Sequence, residues 1–232
     1  MKLVDIEEFK IKNNSDIFFN FDIKKFNWFN IGGKTRIFFK PKNLKELKEF
    51  LVLYSNRGKI FILGLGSNVL FKDSVFEGVI IKLGNSFSSL SKLSNDTIIA
   101  GSSCLQKKLS EFAMENEISG FEYMHCIPGS VGGGIKMNSG CFGGEFKDNI
   151  VSLQCIDLKG NIKVIPINKL KFSYRKIHLD ENLIFLSATF KGNISSKKKI
   201  KLLMEKLSKE KNNSQPSKIK TGGSTFKNPI DQ

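Results

Sequence analysis

An α+β fold is what this chain of 232 residues predicts, and three observations predict it. Residues 35 to 81 read as strand, helix, strand, loop and strand, and short strand candidates crowd residues 150 to 190 around a hairpin turn. The glycine-rich segments between these blocks lack the pattern that opens a doubly wound sheet. With 40% hydrophobic side chains the chain can bury a sizeable core, as one large domain or two small ones.

The elements follow in order. Met1 to Lys10 carries Asp5, Glu7 and Glu8 and no apolar stretch of the kind a secretory signal needs. Residues 35 to 41 form a strand stopped by Pro41. Leu44, Leu47, Phe50, Leu51 and Tyr54 then recur at helical spacing, behind a capping box of Asn43 and Glu46. The apolar run Ile60 to Leu63 breaks at Gly64-Leu65-Gly66-Ser67-Asn68, Val69 to Phe71 resumes an extended pattern, and Gly78 to Ile81 closes the unit.

A second block opens with a strand at Thr97 to Ala100 and a helix from about Ser103, whose Leu105, Leu109, Phe112 and Ala113 share a face. Beyond a long glycine-rich segment, strands are expected near 150–157, 161–166 and 183–190, the first two joined by Lys159-Gly160-Asn161, in a largely antiparallel sheet. A last helix, roughly 196 to 211, leads into a polar stretch and Gly222-Gly223-Ser224-Thr225-Phe226-Lys227-Asn228-Pro229.

Charge and cysteine usage narrow the function classes. The formal charge is +15, yet only Arg36, Arg57 and Arg175 among 37 basic residues are arginine. Base readout and phosphate clamps lean on the guanidinium fork, so the lysines read as a solvated coat and a nucleic-acid site is not expected. On the last helix they alternate with Glu205 and Glu210, the mixed-sign pattern of a face in water. A general basic field still attracts anionic small molecules such as nucleotides and nucleotide sugars. Cys104, Cys126, Cys141 and Cys155 are too widely spaced for a metal or redox pair and too few for a disulfide scaffold, which fits a reducing compartment. His125 and His178 have no ligand-spaced partner, so no metal site is expected, and no apolar run is long enough to span a membrane.

Two segments carry the chemistry. In Gly64-Leu65-Gly66-Ser67-Asn68, glycines after a buried-type strand let successive N–H groups converge on an anion, though Gly-x-Gly alone is also an ordinary turn. A dinucleotide fingerprint fails because Val69 stands where a third glycine belongs. From Gly129 to Gly144, seven glycines fall in sixteen residues, a heavy entropy load to order. Ile135, Met137 and Phe142 interleave with them, which a flexible linker seldom allows, so this run reads as a cofactor crevice whose backbone lies against a flat ring or a diphosphate.

Asn27-Trp28-Phe29-Asn30-Ile31-Gly32-Gly33, Leu65-Gly66-Ser67-Asn68 and the Pro128–Gly144 run resemble the flavin-binding signatures of the MurB reductase family, in the family's order. Tyr174-Arg175 and Gly223 to Pro229 resemble its catalytic arginine and catalytic serine motifs. The resemblance covers nearly the whole chain. It implies the FAD-binding fold of vanillyl-alcohol-oxidase (PCMH) type enzymes, with two α+β subdomains at residues 1–92 and 93–192 and the start of a substrate-binding α+β domain at 193–232. It also implies a cytoplasmic enzyme of peptidoglycan precursor synthesis that uses NADPH and FAD to reduce a nucleotide-sugar enolpyruvyl ether. Arg175 and Ser224 would be catalytic, and Tyr174 and Asn228 would touch the substrate. Gly64, Gly66, Ser67, Asn68, Pro128, Gly129, Ser130, Gly132, Gly133, Asn138 and Gly140 would hold the cofactor. The resemblance is to the shorter subtype, without a tyrosine-bearing insertion. Family members run several dozen residues beyond Pro229 and supply a glutamate that assists protonation, so the chain is expected to end inside that last domain. The alternatives are a non-catalytic flavin or nucleotide module and another FAD oxidoreductase of the same superfamily.

Overall fold

The computed structural model describes residues 4–214 together with Gly222. Helix α1 (Val4–Asn13) and strand β1 (Asp16–Asp22) lead into β2 (Lys34–Lys40), α2 (Leu44–Tyr54), β3 (Lys59–Ile62) and β4 (Phe76–Ile81). β1 runs antiparallel to β2, while β2 and β3 both run parallel to β4, in the order β1-β2-β4-β3.

Helix α2 forms where its apolar positions demand it. Leu47, Phe50, Leu51 and Tyr54 are fully buried against Ile37, Phe39, Val79 and Ile81 of the sheet. Asn43 caps it by accepting the Glu46 N–H at 2.9 Å, but the Glu46 carboxylate turns back to the N–H of Lys42 instead of Asn43. Only half of the expected capping box is therefore made, and the other half satisfies a donor of the incoming chain. The opposite face of the sheet carries Ile23, Phe38, Leu63 and Ile80, with Phe26, Phe61, Val69 and Phe71 packed on them. The expected extended segment at Val69–Phe71 is not a strand. Lys72 spends its carbonyl on the Gly33 N–H, and the apolar side chains serve this aromatic layer without joining a ladder.

The second block comprises β5 (Leu90–Lys92), β6 (Thr97–Gly101), α3 (Gln106–Glu115), β7 (Ile118–Ser119), α4 (Val131–Lys136), β8 (Gly140–Cys141), β9 (Gly144–Glu145) and α5 (Phe146–Asn149). It continues with β10 (Ile150–Ile156), β11 (Ile162–Pro166), β12 (Lys171–Ser173), β13 (Lys176–His178), β14 (Ile184–Lys191), β15 (Asn193–Ile194) and α6 (Lys197–Ser214). Five of the strands make a fully antiparallel sheet in the order β11-β10-β14-β6-β5. In β14 every second residue, Ile184, Leu186, Ala188 and Phe190, is buried, the period of a strand with one face on a core. Asp157 closes the β10–β11 hairpin by accepting the N–H groups of Lys159 and Asn161, and the Asn161 amide foremost holds its carboxyl down at about 2. Helix α3 starts later than Ser103 because Ser103 is spent on the carbonyls of Gly84 and Phe87.

The two sheets share a core. Phe87, Ile156, Ile184 and Leu186 pack into the same cluster as Ile37, Phe39 and the buried face of α2. On α6, Ile200, Met204 and Leu207 are buried while Lys201–Glu205 and Lys206–Glu210 pair at helical spacing outside. No described helix is long and apolar enough to cross a membrane.

Candidate active site

The loop Gly64–Asn68 follows β3, at the carboxyl end of the parallel pair β3–β4, where open α/β sheets expose backbone to ligands. Its shape is imposed from behind. Gly66 has a φ of +76°, and a Cβ there would lie 2.1 Å from the Phe26 carbonyl oxygen, so only glycine fits. Trp28 donates its N–H to the Gly66 carbonyl at 3.0 Å, and the Asn27 side-chain amide holds Ile31 O at 2.7 Å. The Lys82 ammonium donates to the Gly64 carbonyl at 2.6 Å, with its pKa pushed down by burial and then by Lys40. Carbonyls are thus drawn to the protein side, while none of the N–H groups of residues 64–68 donates to an acceptor among the described residues.

The second glycine-rich run meets this loop directly. Part of it is helix α4, whose N-cap Ser130 accepts the Gly133 N–H at 3.2 Å. Position 134, inside α4, is held to glycine because a Cβ there would come 2.4 Å from the buried Phe146 ring. Ser67 donates its hydroxyl to the Pro128 carbonyl at 2.8 Å, and a Cβ on Gly64 would reach within 2.6 Å of Ser130 Oγ. Segments some sixty residues apart thereby meet side by side, as two lips. Gln106 braces the second lip, with its N–H on Gly129 O and its side-chain amide on Ser130 O.

Arg175 occupies the turn between β12 and β13 with a φ of +55°. Its guanidinium donates to Gly140 O at 2.8 Å and to Asn138 O at 3.4 Å, lies 3.9 Å from Glu145 Oε1, and sits 4.9 Å from the centre of the Tyr174 ring. Beside it opens a cleft of about 580 Å³ whose lining includes Lys136, Met137, Lys176 and His178. Another cleft, of about 620 Å³ between α3 and α6, contains no residue of either glycine loop and none of the motifs.

The expected site residues therefore divide. Gly64, Gly66, Ser67, Asn68, Pro128, Gly129, Ser130, Gly132 and Gly133 belong to the two lips, and Gly140 leads to Arg175. Asn138 is turned inward, fully buried, with its side chain spent on Glu145, Ser173 and Lys147. Tyr174 is exposed at the turn. Ser224 and Asn228 lie outside the described residues, although Gly222 is present, so close to Phe29 that a Cβ there would come 2.5 Å from the ring. His178 Nε2 is 2.9 Å from Ser173 Oγ, and His125 Nδ1 stands 3.9 Å from Glu111. Among the described residues no three His, Cys, Asp or Glu groups gather as metal ligands.

Lys82, Gln106 and Glu145 went unread in the sequence. Gln106 had a visible signal, since it shares a helix face with Leu109, Ser110 and Ala113 and is itself buried. A polar residue on a core face must find a buried partner. Lys82 carried no comparable mark.

The donor set fits a phosphate-bearing cofactor with a flat ring. Consecutive backbone amides of residues 64–68 have no acceptor among the described residues, glycines let the two segments pack edge to edge, and Arg175 stands across the second lip. Comparison with known proteins points the same way. A family model described as FAD binding domain matches residues 35–165. The UDP-N-acetylenolpyruvoylglucosamine reductase of Pelagibacter ubique is 54% identical over 232 residues, the whole chain and 77% of that protein. The Rickettsia massiliae enzyme of the same name is 43% identical over 210 residues, 90% of this chain and 71% of its own length. Among solved structures, the reductase (MurB) from Thermus caldophilus matches with a TM-score of 0.79 and 27% identity, over 93% of this chain and 75% of that one. Phl p 4, a glucose dehydrogenase, matches at 0.52 with 11% identity, over 70% of this chain and 36% of its own, which speaks to fold alone.

Proposed function

The chain belongs to the UDP-N-acetylenolpyruvoylglucosamine reductase family, and from that premise we propose that it reduces UDP-N-acetylglucosamine enolpyruvate to UDP-N-acetylmuramate with NADPH and FAD. The reaction belongs to peptidoglycan precursor synthesis in the cytoplasm. The observation that carries the reading is the meeting of the two glycine lips at Ser67 and Pro128, with Arg175 held across the second lip by Gly140.

Hydride chemistry, which no protein side chain offers, is what bound FAD supplies in exchange with NADPH and the enolpyruvyl double bond. The amides of Gly64 to Asn68 and of Gly129 and Ser130 would hold its diphosphate, and Gly132, Gly133 and Gly140 would let the backbone of the second lip pack closely enough to form the wall. Residues 1–92 and 93–192 would be the two halves of this binding unit, with the substrate domain starting at 193.

The remaining work falls to side chains. Hydride addition to the vinyl carbon builds negative charge on the neighbouring carbon and the carboxylate. Arg175 would hold that carboxylate through its fork, which stays charged and directional where a lysine would not. Ser224 would give the proton to the carbon, with Tyr174 and Asn228 orienting the nucleotide sugar. A flavin visible spectrum and NADPH oxidation that depends on the enolpyruvyl sugar would support this reading. Colourless protein that takes up no added FAD would overturn it, and flavin without substrate-dependent turnover would favour a binding module. Arg175→Lys should cut turnover at least tenfold and leave FAD content unchanged, because it removes carboxylate geometry and spares the crevice.

A further inference from the structure

Resting on the reading of Arg175 as the carboxylate clamp, we propose that Glu145 is a positioning residue that fixes the Arg175 guanidinium through Asn138. Three non-glycine residues around this corner adopt left-handed backbone: Asn138 at +38°, Phe142 at +52° and Arg175 at +55°. Such conformations cost free energy and persist only where surrounding contacts over-determine them. The contacts here form one continuous chain.

Glu145 stands at its head. It is the N-cap of α5, where its N–H donates to the Asp148 carboxylate at 2.9 Å, and its own carboxylate is paired with Lys147 at 2.9 Å. Held so, its Oε2 accepts the Asn138 side-chain amide at 2.9 Å. The same amide donates to Ser173 O at 3.3 Å, and the Asn138 carbonyl group of the side chain accepts the Lys147 N–H at 3.0 Å. Asn138 is fully buried, with both side-chain N–H donors and its side-chain oxygen engaged.

The consequence falls on Arg175 from two sides. Ser173 sits at the end of β12, so anchoring its carbonyl anchors the turn that carries Arg175. The carbonyls that orient the guanidinium, those of Asn138 and Gly140, belong to the segment the Asn138 side chain holds still. Two of the fork's five donors are thereby spent on fixed acceptors, and among the described residues the other three have no hydrogen-bond acceptor. The direct Arg175–Glu145 contact, at 3.9 Å with both side chains partly exposed, is too weak to set the geometry alone. The work lies in the hydrogen-bonded relay.

The test compares Glu145→Ala, Glu145→Gln and Arg175→Lys in the FAD-loaded protein, following the two half-reactions separately by flavin absorbance. Glu145→Ala removes the acceptor for Asn138, so reoxidation by the enolpyruvyl sugar should slow at least tenfold. Bleaching by NADPH and FAD content should stay within twofold. Glu145→Gln keeps an acceptor oxygen and should restore most of the rate, which a role in bulk stability or charge would not predict. Loss of both half-reactions in Glu145→Ala, or no recovery in Glu145→Gln, overturns the relay. Arg175→Lys separates the two claims. If it reoxidises normally the clamp reading itself falls, and if it is slow while Glu145→Ala matches the native protein, only the relay falls.

Discussion

The two glycine-rich lips meet at Ser67 and Pro128 yet are kept in shape by opposite means. The Gly64–Asn68 lip has no scaffold of its own. It is held from outside by the backbone of Phe26 and Trp28, by the Lys82 ammonium and by Pro128. The Pro128–Glu145 lip folds around a capped helix braced by the side chains of Ser130 and Phe146, while Asn138 and Glu145 fasten its far end to the Arg175 turn. A lip moulded by backbone tolerates no compensation, whereas one moulded by side chains should be repairable by a second substitution. That difference is measurable.

The largest expected effect is in the first lip. Gly66→Ala would drive a Cβ to 2.1 Å from a main-chain oxygen at a φ of +76°. It should destabilise the protein by roughly 3 kcal/mol and abolish flavin retention. Trimming the nearby side chain in the double variant with Phe26→Ala should rescue nothing, because the obstacle is the carbonyl. Recovery of FAD binding in that double variant would show that the lip is softer than its contacts imply.

Gly134→Ala should behave otherwise. Overpacking against the Phe146 ring costs about 1–3 kcal/mol, offset in part by the helix preference of alanine. Paired with Phe146→Leu, the damage should be strongly non-additive, with a coupling of about 1 kcal/mol or more in chemical denaturation. Strict additivity would mean that the helix, not the ring, sets the cost.

The same contrast governs how much was readable in the sequence. The face of α2 and the alternation in β14 are local periodicities, so Leu47, Phe50, Ile184 and Phe190 announced their burial. The glycine loops announced themselves by composition and order. That Ser67 touches Pro128, that Lys82 braces Gly64, and that Ser173 is tied to Asn138 are long-range hydrogen bonds. A single sequence carries no periodic trace of such contacts. Val69–Phe71 failed for a related reason, because an apolar run can serve a side-chain layer as well as a ladder. Arg175 could be singled out by its motif, but its left-handed turn and the relay that holds it belong to tertiary structure.

The smallest expected effect sharpens the contrast through pH. Burial raises the Glu145 carboxyl, but the bonds from Lys147 and Asn138 and the charge of Arg175 outweigh it, leaving its pKa below the ordinary carboxylate value. A carboxylate depressed by folding contributes stability that is fully present above its unfolded pKa and is lost as pH falls through the folded one. The first lip, Gly64-Leu65-Gly66-Ser67-Asn68, has no group that titrates in that range. The melting temperature of the native protein should therefore exceed that of Glu145→Gln by a margin that holds from pH 7 down to about 4.5, the ordinary carboxylate value, and narrows as the pH falls below it. The margin for Asn68→Ala should stay level across the same range. If the Glu145→Gln margin held constant, the second lip would owe its shape to hydrogen bonding that does not require the ionised carboxylate.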